Sequence, residues 1–353
     1  MNFASDNWAG ASPQINAALA EHGGGFAAAY GSSDLDEKAR EKIGEIFEKD
    51  VSVLFVPTGT AANSLAAALM MRPGGIVLAH RESHMIEDEC GAPELLSGGG
   101  RLVGVDGIDG KIDPVALAQV LKRHDPPFLH YGRPVGMSIT QATEVGTVYR
   151  VREIAALTDL AATSKLPVHM DGARFANAIV RLDKTPAELT WKAGIDFVSF
   201  GASKNGCWCA EALVIFDRSL QEEAEYLRKR AGHLFSKSRF VAAQYLAWLE
   251  NDLWLDLARH ANSMAEELAR RISQSGRVKL AWECEANSVF VYMEEETSTQ
   301  MREAGARFYP WHLPAGHTPP GDVPESCGLF RLVTSFATTP AEIESFSRLL
   351  ERS

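Results

Sequence analysis

Asp196-Phe-Val-Ser-Phe-Gly-Ala-Ser-Lys-Asn-Gly206 is a short apolar, aromatic-rich run that ends in small residues and a single lysine. It reads as a buried strand with Lys204 at its mouth. The stem of a lysine placed there crosses apolar ground, and a desolvated pocket lowers an amine below its usual pKa of about 10.4. In such a setting a lysine becomes a nucleophile toward carbonyls and forms Schiff bases. Taken alone, Lys204 also fits a solvated lysine in a strand-to-loop turn, so its neighbours must decide.

Outward from this run, further apolar segments recur along the chain: Val51–Pro57, Gly75–Ala79, Arg101–Asp106, Phe128–Tyr131, Pro167–Asp171 and Ala212–Phe216. Helical patterns lie between several of them, at residues 34–50, 64–71, 114–124 and 148–165. Strands alternating with helices predict crossover units and a mainly parallel sheet covered on both faces. Residues 1–25 read as polar and glycine-rich. Beyond about residue 245 the pattern changes to a long amphipathic helix over 249–272, then shorter strands at 278–281, 288–293 and 329–333. A last helix, 341–350, starts after Thr339-Pro340. Two units are expected, a large one over 1–245 and a smaller α/β one over 246–353.

The totals exclude some partners. The 353 residues carry a net charge of -11, which argues against nucleic acid or an anionic membrane, since both need clustered Lys and Arg. The N-terminal Met1–Trp8 has no basic or apolar leader pattern, and no run of about 18 apolar residues occurs. Five cysteines (Cys90, Cys207, Cys209, Cys284 and Cys327) complete no metal-ligand spacing, so free thiols in a reducing cytoplasm and no metal site are expected.

In parallel sheets, ligands sit beyond the carboxyl ends of the strands. Three segments fall there. Thr58-Gly59-Thr60 precedes a helix, where open N–H groups and hydroxyls form a phosphate cradle; the alternative is a plain helix cap. Asp171 follows directly on an apolar strand, either as a cap or as the partner of a buried cationic nitrogen. Lys204 is the third. A phosphate cradle, an acid for a pyridine nitrogen and a Schiff-base lysine together describe a pyridoxal phosphate site. The chain has neither a Walker A loop nor GxGxxG, so a nucleotide-binding oxidoreductase is disfavoured.

These motifs, with Ser5-Asp6, Tyr30-Gly31, Pro57–Asn63, Asp171–Asn177 and Ser203-Lys204, resemble the threonine aldolase family of fold-type I pyridoxal phosphate enzymes. The resemblance implies an α/β fold of that type and cleavage of threonine, allo-threonine and related β-hydroxy-α-amino acids to glycine and an aldehyde. It further implies that Lys204 holds the cofactor and that Asp171 pairs with its ring nitrogen. Gly59 and Thr60 would bind its phosphate, and His84 would stack on its ring. Ser5, Arg174 and Arg331 would hold the substrate carboxylate, with Arg174 also near the cofactor. Lys229, in Lys229-Arg-Ala-Gly232, would reach the phosphate of a neighbouring subunit, so a homodimer or homotetramer is implied. A bacterial branch of the family carries a second active-site histidine just beyond its equivalent of Glu144. This chain has Thr147 instead, so His84 or a water held by His84 or Thr147 becomes the candidate base. Other reactions of the same cofactor (β-elimination, racemisation, transamination) and a non-catalytic cofactor-binding protein are the alternatives.

Overall fold

The computed structural model describes residues 1–125 and 128–352. Seven strands form the larger sheet: β1 (Ser52–Val56), β2 (Gly75–His80), β3 (Arg101–Val105), β4 (Arg133–Thr140), β5 (Val168–Gly172), β6 (Phe197–Gly201) and β7 (Glu211–Ile215), in the order β1-β7-β6-β5-β4-β2-β3. The four pairings from β3 through β2, β4 and β5 to β6 are parallel. β7 is antiparallel to both β6 and β1. The reason is chain length: only residues 202–210 separate β6 from β7, too few for a crossover, so the chain turns back as a hairpin. Two reversals restore the original direction at β1. The carboxyl ends of β1, β2, β4, β5 and β6 therefore meet at one edge, and β7 begins there, with Glu211 opposite Gly201 and Val56.

Strands β1, β2, β5, β6 and β7 are buried throughout, which explains their near-continuous apolar sequence. Edge strand β3 is partly exposed. An aromatic cluster of Phe47, Phe175, Phe200, Tyr245, Trp248 and Trp254 fills the core on one face, with Phe200 in contact with most of the others. Such edge-to-face and tilted pairs add about 0.5–1.5 kcal/mol each beyond burial.

The second sheet is antiparallel, β10-β11-β9-β8, from β8 (Lys279–Leu280), β9 (Ser288–Glu294), β10 (Tyr309–Trp311) and β11 (Cys327–Val333). One face packs on the helices Leu253–Ser275 and Pro340–Arg352 through Ala265, Leu268, Ile272, Val289, Val291, Phe330, Leu332 and Phe346. The other face, with Phe290, Tyr292 and Leu329, meets Val145 from the turn after β4.

Several expectations change. The N-terminal stretch, read only as polar and glycine-rich, contains a helix: Ser12 caps Pro13–His22, with proline in its first turn. Its first residues join the second sheet, since Phe3 N–H donates to the Arg307 carbonyl at 2.7 Å and Phe3 is buried among that sheet's apolar residues. The run Phe128–Tyr131 is not a strand, and Leu129 is fully exposed. The strand is β4, whose sequence Arg133-Pro-Val-Gly-Met conceals it behind a proline and a glycine. The long helix starts at Leu253, after Asn251 and Asp252 adopt left-handed backbone and end the helix Arg239–Leu249.

Candidate active site

The helix Gly59–Met70 springs from the carboxyl end of β1. Thr58 caps it, its hydroxyl accepting from Ala61 N–H at 3.1 Å and its carbonyl from Ala62 N–H at 3.2 Å. The N–H groups of Gly59 and Thr60 have no intrahelical partner and face a cavity of about 330 Å³. That cavity also holds Lys204, Asp171, His84, Asn63, Glu89, Glu144 and Glu211, so five of the expected residues converge on one place.

Lys204 lies in a short 3-10 turn, Ser203–Asn205, just past β6. The turn is pinned on its far side: Asn205 donates to the Trp254 carbonyl at 2.8 Å, and Trp248 donates to the Asn205 carbonyl at 2.8 Å. Gly206 closes it at φ +100. Among the described residues the Lys204 amine forms no ion pair.

Asp171, near the end of β5, is buried and accepts from Asn63 Nδ2 at 2.9 Å and from Ala173 N–H at 3.0 Å. Asn63 Nδ2 also donates to Glu89 Oε1 at 2.7 Å, and the same oxygen lies 2.9 Å from His84 Nδ1. The bond to Glu89 raises the His84 pKa against the effect of burial. A linked row thus runs His84, Glu89, Asn63, Asp171, and it leaves Glu89 Oε2 and Asn63 Oδ1 buried without partners. Ligand-type atoms of His84, Glu89 and Asp171 lie within 4.8 Å of one another, a spacing that could also close on a cation. Two residues before Asp171 and on the same strand face, His169 sits between the hydroxyls of Ser138 and Ser199, 2.9 Å from each. Burial pushes its pKa down to about 4, so it is neutral.

Glu211 accepts from Ser203 N–H at 3.3 Å, and burial pushes its carboxyl up to about 7. Glu211, Asn63 and Glu89 were not singled out from sequence. Asn63 and Glu89 lie inside or after helices, and Glu211 starts a strand that runs the opposite way, so a search of strand carboxyl ends passes over all three. The one signal was an amide in an otherwise alanine-rich helix.

The expected carboxylate ligands are arranged differently. Arg174 is largely buried and bound bidentately by Asp6, Nε to Oδ2 at 2.7 Å and Nη2 to Oδ1 at 3.0 Å, and Asn287 Nδ2 donates to Asp6 at 3.1 Å. Burial opposes this arginine's charge, but Asp6 outweighs it and raises the pKa. Arg331, on β11, has its guanidinium 4.1 Å from the Trp311 ring centroid. Its Nε is buried without a partner, and it forms no ion pair among the described residues. Burial and then the charge of Arg174 lower its pKa. Ser5 caps the 3-10 helix Asp6–Trp8, accepting from Asn7 N–H at 3.1 Å; Asn7, not Ser5, lines the cavity. Lys229 lies outside the cavity, its amine 5.3 Å from the Tyr30 ring centroid. Thr147 is also outside: it is buried, and its hydroxyl donates to the Asp109 carbonyl at 2.6 Å. That bond ties Thr147 into the loop, and its side chain is not placed to hold a water in the cavity.

Comparison with known proteins agrees with this architecture. The family model described as Beta-eliminating lyase matches residues 2–296. The low specificity L-threonine aldolases of Pseudomonas aeruginosa and of a Pseudomonas species are each 42% identical over 308 residues, 87% of this chain and 88% of theirs. A solved Leishmania major threonine aldolase superposes with a TM-score of 0.91 at 28% identity, covering 99% of this chain and 98% of that one. The fold is fold type I. The chain belongs to the beta-eliminating lyase family and stands within it among the low specificity L-threonine aldolases.

Proposed function

We propose that this chain is a pyridoxal phosphate-dependent lyase that cleaves threonine, allo-threonine and related β-hydroxy-α-amino acids to glycine and an aldehyde. The observation that carries the reading is the convergence of an unpaired lysine, Lys204, a hydrogen-bonded acid, Asp171, and an open helix N-terminus at Gly59 on one cavity. The 42% identity to low specificity L-threonine aldolases selects the reaction among those this cofactor serves.

When bound, pyridoxal phosphate supplies an electron sink for the pair released at the substrate Cα. The roles of the protein groups follow from their places. Lys204 presents the amine that holds the cofactor's aldehyde carbon. Gly59 and Thr60 offer N–H groups, and Thr60 its hydroxyl, to the phosphate at the positive end of a helix. Asp171, oriented by Asn63 and Ala173, presents its carboxylate to the ring nitrogen. His84, fixed by Glu89, is the residue that would lie against the ring. Arg331 is the main ligand of the substrate carboxylate, because its Nε has no hydrogen-bond partner among the described residues. Arg174 uses Nε and Nη2 on Asp6 and keeps Nη1 for the same carboxylate, with the Ser5 hydroxyl as a further donor. Holding the carboxylate at two points orients the Cα–Cβ bond across the ring plane. Lys229 serves the phosphate of a partner subunit in a homodimer or homotetramer. Residues 1–245 form the cofactor-binding unit, and 246–353 the smaller unit that brings in Arg331. No described helix is long and apolar enough to cross a membrane, in keeping with a cytoplasmic enzyme.

The test is reduction with borohydride followed by peptide mapping, together with acetaldehyde release from allo-threonine. A pyridoxyl adduct on Lys204 and stoichiometric aldehyde are expected. An adduct on another residue sinks the site assignment, and turnover of amino acids without aldehyde sinks the aldolase reading.

A further inference from the structure

The turn after β4, Thr143-Glu-Val-Gly-Thr147, is anchored at every position except one. Thr143 N–H donates to the Thr147 carbonyl at 2.9 Å, and Gly146 N–H donates to the Thr143 carbonyl at 2.9 Å. The hydroxyls of Thr143 and Thr147 are 2.8 Å apart, and both reach the Asp109 carbonyl. Val145 is buried, and its carbonyl accepts from Trp282 Nε1 at 2.9 Å. Gly146 has φ +76, and a Cβ there would lie 3.1 Å from Ser288 Cβ and 3.2 Å from the Ser288 carbonyl oxygen. On the outgoing side, Gln141 and Tyr149 exchange two bonds of 2.9 Å. The remaining residue, Glu144, lines the cavity with Lys204, His84 and Asp171, and its side chain has no hydrogen bond or ion pair among the described residues. A turn this firmly held, with one free carboxylate at its tip, presents that carboxylate to whatever occupies the cavity.

The other acids there are engaged. Asp171 accepts from two donors, Glu89 is bound by His84 and Asn63, and Glu211 accepts from Ser203. Thr147 is spent on Asp109, and His84 Nδ1 on Glu89. The Glu144 carboxylate acts electrostatically on groups from three separate elements, favouring the charged forms of His84, Arg174 and Arg331. Two of these are the arginines assigned to the substrate carboxylate, which puts the charge of Glu144 on the substrate's side of the site.

We propose that Glu144 is the acid–base group for the substrate's β-hydroxyl, an assignment that rests on the aldolase reading. The hydroxyl proton passes to a Glu144 carboxylate oxygen. The O–H electron pair becomes the second bond of the aldehyde carbonyl, while the Cα–Cβ pair remains on Cα. The proton that Cα takes up to become glycine equals the one the hydroxyl lost, so no co-reactant is required. In the synthetic direction Glu144 returns the proton to the new alkoxide.

The holoenzyme and its E144Q and E144D variants test this with two readouts: acetaldehyde release from allo-threonine, and the cofactor absorbance change on titration with glycine, which has no β-hydroxyl. For E144Q, cleavage falls about 100-fold or more, in the range of a lost general base, while the glycine Kd stays within about threefold. E144D recovers at least about tenfold of the lost rate. E144Q cleaving within about threefold of wild type overturns the assignment, as does loss of glycine binding in parallel with cleavage. A wild-type enzyme that binds glycine yet releases no aldehyde overturns the aldolase reading itself, an outcome seen before any variant is made.

Discussion

Glu211 illustrates how burial can set the state of a cavity acid against a hydrogen bond from Ser203 and the charge of Lys204. Desolvation raises its carboxyl from 4.5 to about 7, while an unfolded glutamate keeps the lower value. Between those pH values the unfolded chain has released the proton that the folded chain retains. The contribution of Glu211 to stability is therefore fully present below 4.5 and is lost as pH rises through 7. The full difference corresponds to roughly 3 kcal/mol. E211Q removes this dependence: chemical denaturation of the holoenzyme at pH 5 and pH 8 will show the variant gaining on wild type by about 2–3 kcal/mol across that interval. Parallel profiles would refute the assignment. Asp6 titrates in the opposite sense. Although burial works against its charge, the Arg174 guanidinium holds its carboxyl below the usual range, so that ion pair supports the fold until acid pH. Lys204, Asp171, Gly59 and Thr60 were singled out in sequence because each sits at a strand end or helix start with a recognisable local pattern, whereas His84 came only from the family resemblance. Asp6 as the partner of Arg174 was not, because 168 residues separate the two.

Elements act on the site through turns with little freedom. The Ser203–Asn205 turn aims Lys204 by fastening Asn205 to two tryptophans and closing on Gly206, whose φ of +100 disfavours any residue with a Cβ. An alanine at 206 would place that Cβ 2.6 Å from Leu257 Cδ1. G206A is expected to lose about 1–2 kcal/mol from backbone strain, the leucine methyl being free to shift, measured by urea denaturation. It should also slow borohydride trapping at Lys204. A variant as stable as wild type would show that the turn relaxes freely. Most helix and strand positions were readable from periodicity, since continuous apolar runs mark strands buried on both faces. β4 escaped because its proline and glycine look like loop residues, and their cost is offset by burial between β2 and β5.

At the level of the whole chain, the role proposed for Lys229 can be tested: it lies outside its own cavity, beside the half-exposed Tyr30. If a partner supplies Lys229, the K204A and K229A lesions fall in the same site of a mixed pair and leave the other site intact. Co-refolding the two inactive variants should then restore aldehyde release, with one intact site per hybrid dimer. A dimer by light scattering with no recovered activity would place Lys229 outside the phosphate site. Local chemistry written along the chain was enough to define the α/β architecture and to point to a pyridoxal phosphate site, because strand burial, helix caps and a lysine after an apolar run are short-range signals. The antiparallel insertion of β7, the Asp6–Arg174 pair, the role of Thr147 as a loop tie and the free carboxylate of Glu144 could not be read that way. Each depends on which distant segments share an edge of the sheet, and hence on which side chains find a partner and which do not. Lys204 is identified by what precedes it in sequence; Glu144 is identified by the contacts its neighbours make and it does not.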